Sequence, residues 1–473
     1  MTSSGDPVVF VLFGATGDLA KRMVLPAFFT LAQQKLLPEN YLLIGDSRSD
    51  RTDDDFRDHV KDVLTEFGPH PDEGPWDDFS SRLRFAGGGF TPDDPGQLVD
   101  VVNKAREELG GSDGAANVQL IHYLALPPSA FIETTQALGA HDLAKGTRVV
   151  YEKPFGTSPQ GFKDLDKAVH QVLDEEQVYR IDHFLGKEAT QNLHVVRFAN
   201  RLIHSVWSAE HVASVQIDAP ETLDIDDRAK FYDATGALLD MVVTHLFQVA
   251  AEVAMDPPAS MAAADLQAAR EEVIGCFRPL DPAEVVLGQY DGYTDVEGIE
   301  KDSTTDTFVA ARLWVDNDRW RGVPFLLRTG KRMAESTQRV SLILKDPSDG
   351  PLADATPTMG DVLNFTLKGN GSVDIELIVK KPGAGTELVP TDASIVLADI
   401  PDGDPLPPYV RLIHDVLEGD RSLFTRPDGL AHTWEVIEPV LDDRPPVKPY
   451  EQGSWGPAEA AALAEPGRWL LGQ

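Results

Sequence analysis

Val8-Val-Phe-Val-Leu-Phe-Gly-Ala-Thr-Gly-Asp-Leu-Ala20 is the stretch on which the fold turns. Its first six residues are apolar without interruption, as a strand buried on both faces of a parallel sheet requires. Gly14 and Gly17 let the chain turn tightly and lie close against a pyrophosphate. The run from Lys21 to Leu36 places Leu25, Phe28, Phe29, Leu31 and Ala32 at helical spacing, which predicts a helix whose first N–H groups face the same anion. The pattern is Gly-x-x-Gly-x-x-Ala rather than Gly-x-Gly-x-x-Gly. Alone it is a weak signal; the strand before it and the helix after it strengthen it, with a plain strand–turn–helix corner as the other reading. The expectation is a doubly wound α/β domain that binds a dinucleotide.

The next elements extend this pattern. Tyr41-Leu-Leu-Ile-Gly45 predicts a second strand, whose end lies by the adenosine ribose in such a fold. Arg48 is placed there to pair with a ribose 2′-phosphate and to stack on adenine. Asp46 favours a free 2′-hydroxyl instead and repels the phosphate. Asp53 to Phe67 predicts a polar-faced helix, Pro69 to Phe79 a loop, and Gln97 to Leu109 a helix. Asn117 to Leu126 predicts a buried strand, cut off by Pro127 and Pro128 at the edge where doubly wound folds bind ligands. Pro128 to Leu138 returns as a helix. Arg148-Val-Val-Tyr-Glu-Lys-Pro-Phe-Gly156 reads as strand and turn. Pro154 drives Lys153 out of the helical region, so that an extended Lys153 at a strand end can point into a ligand cleft; an ordinary surface lysine is the other reading of the same residue. The sequence leaves open whether the Lys153–Pro154 bond is cis. Ser158 to Glu176 predicts an amphipathic helix.

That helix leads to Arg180-Ile-Asp-His-Phe-Leu-Gly-Lys-Glu188, where five of nine residues can be ionised. Val178 to Ile181 predicts a short strand and the run from Lys187 a helix. His183 and Lys187 therefore flank a strand-to-helix junction, where unsatisfied N–H groups favour a phosphate. A solvated charged turn is the other reading of the same residues.

Composition narrows the partners. At 473 residues, two or three domains are expected. Hydrophobic residues at 42% and charged residues at 25% suit a globular protein, and no apolar run approaches a membrane span. Met1 to Pro7 carries no basic region and leads straight into a strand, so no signal peptide is expected. A single cysteine, Cys276, excludes an internal disulfide and a thiolate metal site, and points to the cytoplasm. The formal net charge of −35 argues against nucleic acid and anionic membranes. It also means that a site for an anionic substrate must concentrate its own Lys, Arg and His.

Beyond Glu188 the pattern changes. Asp306 to Val315, Arg339 to Leu344, Asp361 to Lys368 and Val373 to Lys380 predict strands with few helices between them, which points to a mostly antiparallel sheet. The expected division is a Rossmann-like α/β domain over residues 1–185 and an α+β domain with a large, mostly antiparallel sheet over 186–473. Thr235 to Ala250 is a strongly apolar helix containing Asp240 and His245. At ordinary helical pitch their spacing of five sets the side chains about 140° apart. A lone His in such a helix is more often a satisfied core residue than a functional one. Pro324 to Arg332 ends a strand in a basic turn, and Arg411 to Leu417 and Thr433 to Leu441 predict late helices.

These motifs resemble the glucose-6-phosphate dehydrogenase family. Arg180–Glu188 is similar to its RIDHYLGKE signature at eight of nine positions, with Phe184 for Tyr. Gly14–Ala20 with Lys21, Glu152–Gly156, and the run containing Tyr232, Asp233, Gly236, Asp240, Met241 and His245 resemble further family segments, in order along the chain. The resemblance implies oxidation of glucose 6-phosphate at C1 to a 6-phosphogluconolactone. His245 would be the general base, a role that neutral imidazole suits near pH 7, and Asp182 would orient it. His183 and Lys187 would hold the phosphate, and Lys153, Glu221, Asp240 and Lys331 the sugar. Gly14, Thr16, Gly17, Asp18, Leu19, Arg48 and Lys153 would hold the cofactor. That cofactor is NADP, with NAD left open by Asp46, where the family has a neutral residue. The resemblance also implies a homodimer or homotetramer paired through the sheet of the second domain, and no metal. A second basic residue normally follows Lys331 by four or five positions. Glu335 and Ser336 stand there instead, so either the grip on the substrate is weaker or Arg332 or Arg339 compensates. Two alternatives stay open: another NAD(P)-dependent sugar oxidoreductase, which would not need His183 and Lys187, and a non-catalytic NADP-binding regulatory protein, which would not need His245.

Overall fold

The computed structural model describes residues 6–71, 75–114, 117–225, 229–346, 351–352, 361–369 and 371–472. It divides into two compact units. One comprises Met1–Gly186, Ala262–Gln267 and Leu406–Pro427; the other comprises Lys187–Met261, Ala268–Pro405 and Asp428–Gln473.

In the first unit the apolar runs form six parallel strands: β1 (Val8–Phe13), β2 (Tyr41–Asp46), β3 (Leu83–Ala86), β4 (Gln119–Leu124), β5 (Arg148–Tyr151) and β6 (Val178–Ile181). Their order is β3-β2-β1-β4-β5-β6, with Phe424–Thr425 added antiparallel to β6. This is the doubly wound order, with its reversal point between β1 and β4. Asp53–Phe67 is helical as expected, and Thr52 and Asp55 close a reciprocal cap at its start. The segment expected as a loop contains a short helix, Trp76–Ser81, that leads into β3. Trp76 and Phe79 set their rings edge-on to Phe29, so two aromatic anchors outweigh the polar composition. Residues 72–74 of that segment lie outside the described residues. The helix expected to reach Glu176 ends at His170. Asp174 and Gln177 then cap a separate 3₁₀ turn. The helix Pro408–Glu418 returns late in the chain to seal this core, burying Val410, Leu412, Ile413 and Val416 with Phe10 and Phe28.

In the second unit a nine-stranded sheet is built from β7 (Val212–Pro220), β8 (Val285–Tyr290), β9 (Phe308–Leu313), β10 (Phe325–Gly330), β11 (Arg339–Leu344), β12 (Val362–Thr366), β13 (Ser372–Lys380), β14 (Leu388–Val396) and Lys448–Tyr450. The order is β14-β13-β12-β11-β7-β10-β9-β8, closed by Lys448–Tyr450. Pairing is antiparallel except between β7 and β10 and between β8 and the last strand. The mostly antiparallel sheet expected from successive strands with few helices between them is therefore present.

Ala229–Ala254 is a helix long and apolar enough, by length and composition, to cross a membrane, contrary to the expectation that no run approaches that length. Yet 89% of its most apolar window is buried inside the protein, and Gly236 breaks its helical geometry, which makes it the core helix of this unit. Near its end Glu252 is buried among Arg270, 2.5 Å away, and His194. Burial pushes the Glu252 carboxyl up, but Arg270 and then His194 overcome this and hold it at about 2.

Candidate active site

The glycine turn is held at the point where the strand order reverses. Gly14 has φ 72°, and a Cβ there would lie 2.4 Å from the Ala125 carbonyl oxygen, so only glycine fits. Ala15 N–H donates to the Asp46 carbonyl at 3.0 Å, and Gly17 N–H to the Gly14 carbonyl at 2.8 Å. These bonds pin the turn beside the ends of β2 and β4. The helix begins at Asp18, not at the expected Lys21, so Thr16, Gly17, Asp18 and Leu19 form its mouth. It then passes through a π segment, Ala20–Val24, in which Leu25 N–H reaches back five residues to Ala20. A cradle that a single methyl group would fill, opening on a helix N-terminus, fits a dinucleotide pyrophosphate.

Around this turn the strand ends present the side chains read from the sequence. Arg48 is exposed two residues beyond β2. Asp46 is 5% exposed, and burial pushes its carboxyl up to about 7. Lys153 is half-buried after β5, and its bond to Pro154 is cis. Its neighbour Glu152 was not singled out from the sequence. Tyr123 Oη donates to Glu152 at 2.5 Å, and burial pushes that carboxyl to about 7. Tyr123 pairs in register with Val150, two residues before Glu152, so the contact is a signal only once the register is known.

The Arg180–Glu188 motif folds as expected. β6 ends at Ile181, and the buried Asp182 accepts from Phe184 N–H at 2.9 Å. His183 is half-buried with its ring edge-on to Phe184. Arg180 is structural and reaches Glu175 at 2.9 Å. The helix runs from Glu188 to Ala199, with Lys187 as the extended residue before it. The Lys187 ammonium reaches the Gln338 side-chain oxygen.

In the second unit the π geometry of Leu238–Leu246 alters the expected placing of Asp240 and His245. Phe247 N–H reaches back five residues to Val242. Residues five apart in such a segment stack near one another, so Asp240 and His245 turn toward a common side rather than lying about 140° apart. The segment has a defined start. Gly236, at φ 66°, interrupts the helix. Asp306 then accepts from Leu238 N–H at 2.7 Å and is itself paired with Arg444. Asp306 thus caps the turn that carries both residues, a role invisible across 68 residues of sequence. His245 is fully buried and Asp240 nearly so.

Nearby, Glu221 and Lys331 form an ion pair, and the Lys331 ammonium lies 5.7 Å from the centre of the Tyr232 ring. Burial first, then the Asp240, Asp306 and Glu221 carboxylates, push the Tyr232 phenol well above its usual value and keep it neutral. Asp233, next to it in the same motif, is structural and accepts from Tyr293 at 3.0 Å and from Ser303 at 2.5 Å. The two basic residues expected to stand in for the absent one each face a carboxylate in the second unit. Arg332 pairs with Asp224, and Arg339 sits on β11 in register with Asp218, which holds Arg328 at 2.6 Å.

The strand order, the glycine cradle and the separate sheet unit with its buried His and basic turn define a dinucleotide-dependent oxidoreductase of two units. Residues 11–192 match the model of the glucose-6-phosphate dehydrogenase NAD binding domain, and residues 194–469 that of its C-terminal domain. The chain belongs to the glucose-6-phosphate dehydrogenase family. It is 36% identical to glucose-6-phosphate 1-dehydrogenase 2 of Mycobacterium bovis over 97% of this chain and 93% of that protein. It is 33% identical to the Dictyostelium discoideum glucose-6-phosphate 1-dehydrogenase over 98% and 96%. Among solved structures it resembles the Mycobacterium avium glucose-6-phosphate 1-dehydrogenase at TM-score 0.86 and 34% identity, covering 99% of both chains. A glucose-6-phosphate dehydrogenase in complex with glucose-6-phosphate superposes at TM-score 0.91 and 28% identity, again over 99% of both.

Proposed function

We propose that this chain oxidises glucose 6-phosphate at C1 to 6-phospho-glucono-1,5-lactone, with NADP as acceptor, the first step of the oxidative pentose phosphate pathway. One observation carries the reading: the match over 99% of both chains to a glucose-6-phosphate dehydrogenase in complex with that substrate. When bound, the nicotinamide supplies the hydride acceptor. His245 takes the proton of the C1 hydroxyl, from a fully buried position where bulk water does not compete. Asp182 is assigned to orient the imidazole. His183 and Lys187 hold the phosphate, while Lys153, Glu221, Asp240 and Lys331 fix the sugar so that C1 is presented in one orientation.

Gly14, Thr16, Gly17, Asp18 and Leu19 hold the pyrophosphate of the cofactor, and Arg48 its 2′-phosphate. The preference for NADP over NAD rests on Arg48 being exposed beyond β2 while the Asp46 carboxyl, raised to about 7, is largely neutral just below that pH. We further read the chain as a homodimer or homotetramer paired through the outer strands of the second unit, where Leu377, Val379, Ile395 and Val396 are exposed.

The test is nicotinamide reduction with glucose 6-phosphate, run in parallel with NADP and NAD. His245→Asn should lower kcat on the order of a thousandfold with KM little changed. A wild-type chain inactive with both cofactors defeats the assignment.

A further inference from the structure

We propose that Lys368 is a substrate-binding residue: it supplies, from the end of β12, the cation missing at Glu335 and Ser336, and grips the phosphate of the sugar phosphate. The proposal rests on the reading that the substrate is a phosphorylated sugar.

Lys331 to Gln338 is a single, well-tied loop. Glu221 pairs with Lys331, and Met333 N–H donates to the Glu221 carbonyl at 2.9 Å. The Ser336 hydroxyl accepts from Thr222 N–H at 2.7 Å, and Thr337 N–H donates to the Pro220 carbonyl at 3.2 Å. The far end of the loop is tied to the chain leaving β12, where Leu367 N–H donates to the Gln338 carbonyl at 2.7 Å. Leu367 is buried, which sets Lys368, the next residue, facing outward beside the loop. Its ammonium donates to the Ser336 carbonyl at 2.6 Å. The cation absent from the side chain at 336 is therefore supplied beside residue 336 by the chain leaving a different strand.

Its surroundings separate Lys368 from the other basic groups near the loop. Lys331 faces Glu221, Arg332 faces Asp224, and Arg339 faces Asp218 in the sheet. Lys368 is held by a backbone carbonyl, an uncharged acceptor, and among the described residues no carboxylate forms an ion pair with it. Its full charge remains available, in a chain whose formal net charge is −35. Position along the loop selects the phosphate over the ring hydroxyls. Lys187, assigned to the phosphate, reaches Gln338. Gln338 is two residues from Ser336, at most about 7 Å of extended chain. Lys331 and Glu221, assigned to the sugar, lie at the opposite end. Two ammonium groups converging on adjacent points of one loop suit a dianion.

The experiment compares wild type, Lys368→Met, Lys368→Arg and the double variant Ser336→Lys/Lys368→Met in the full chain. It reads steady-state turnover and calorimetric binding of glucose 6-phosphate. Lys368→Met keeps the apolar stem and removes the charge. It should raise KM and Kd for glucose 6-phosphate about tenfold, with kcat and cofactor KM within about twofold, and leave kcat/KM for unphosphorylated glucose unchanged. Lys368→Arg should stay near wild type, and the double variant should recover most of the loss. Unchanged sugar-phosphate affinity in Lys368→Met overturns the proposal. So does a parallel rise in both KM values with a lower melting temperature, which would make Lys368 a prop for the loop. If the wild type binds glucose 6-phosphate without turning it over, the activity falls while Kd still judges Lys368; if it does not bind, both fall.

Discussion

Each unit interrupts its principal helix with a π segment, and the two serve different ends. In the first unit Ala20–Val24 follows a glycine turn, and what the site offers a ligand is mostly backbone: the free N–H groups at Asp18–Leu19 and the space left by the missing Cβ of Gly14. In the second unit Leu238–Leu246 offers side chains, and its geometry sets the phase at which Asp240 and His245 emerge. A site made of N–H groups is sensitive to any atom added. A site made of side chains is sensitive to whatever sets the start and rotation of the helix beneath it.

The sharpest way to break this contrast is Asp306→Ala. It removes the cap of Leu238 and leaves Arg444 without its partner, yet touches no residue assigned to substrate. Stability in chemical denaturation should fall by about 2–3 kcal/mol, and kcat should fall with it while cofactor affinity holds. Unchanged kcat would mean that the phase of the π segment does not depend on its cap.

Gly14→Ala is the complementary change, one added methyl group with no chemistry removed. The positive φ costs about 1–2 kcal/mol for a residue with a Cβ, and the overlap with the Ala125 carbonyl adds to it. NADP affinity measured by fluorescence titration should weaken about tenfold or more, with glucose 6-phosphate affinity nearly unaffected. Equal losses in both would place the effect in folding rather than in the cradle.

The smallest effect concerns Asp46, one of the few side chains that bear on the mostly backbone site of the first unit. Burial raises the Asp46 carboxyl to about 7, so it is neutral below that pH and anionic above it. The anion accepts from a ribose 2′-hydroxyl and repels a 2′-phosphate. The ratio of kcat/KM for NADP over NAD should therefore fall a few-fold as pH rises from about 6 to about 8. Asp46→Asn should flatten that dependence. A variant that follows the wild-type profile would remove Asp46 from cofactor choice.

Much of the fold was legible from local pattern. β1, β2, β5 and the helix Asp53–Phe67 agree nearly to the residue, because apolar runs and the one-sided polarity of a helix are local statements. β3 and β14 were not legible. β3 is a four-residue strand behind a Pro- and Asp-rich segment, too short to show a period although it is mostly buried, and β14 is exposed along most of its length and shows no core pattern. The membership of Leu406–Pro427 in the first unit was also unreadable, since an amphipathic helix shows that it has an apolar face but not which core receives it.

By itself the sequence determined the class of each half, the glycine turn, the Arg180–Glu188 junction and the family, because these depend on residue type at short spacing. Only the tertiary structure decided the rest. It set Asp240 and His245 on a π turn and placed Asp306, 68 residues away, at the start of that turn, a contact that no local pattern encodes. It gave Asp233 a structural place apart from Asp240 and His245 of the same motif, for the partners of Asp233 lie 60 and 70 residues away. And it brought Lys368 to Ser336 across 32 residues of chain, because sheet register, and not sequence distance, determines which side chains share a surface.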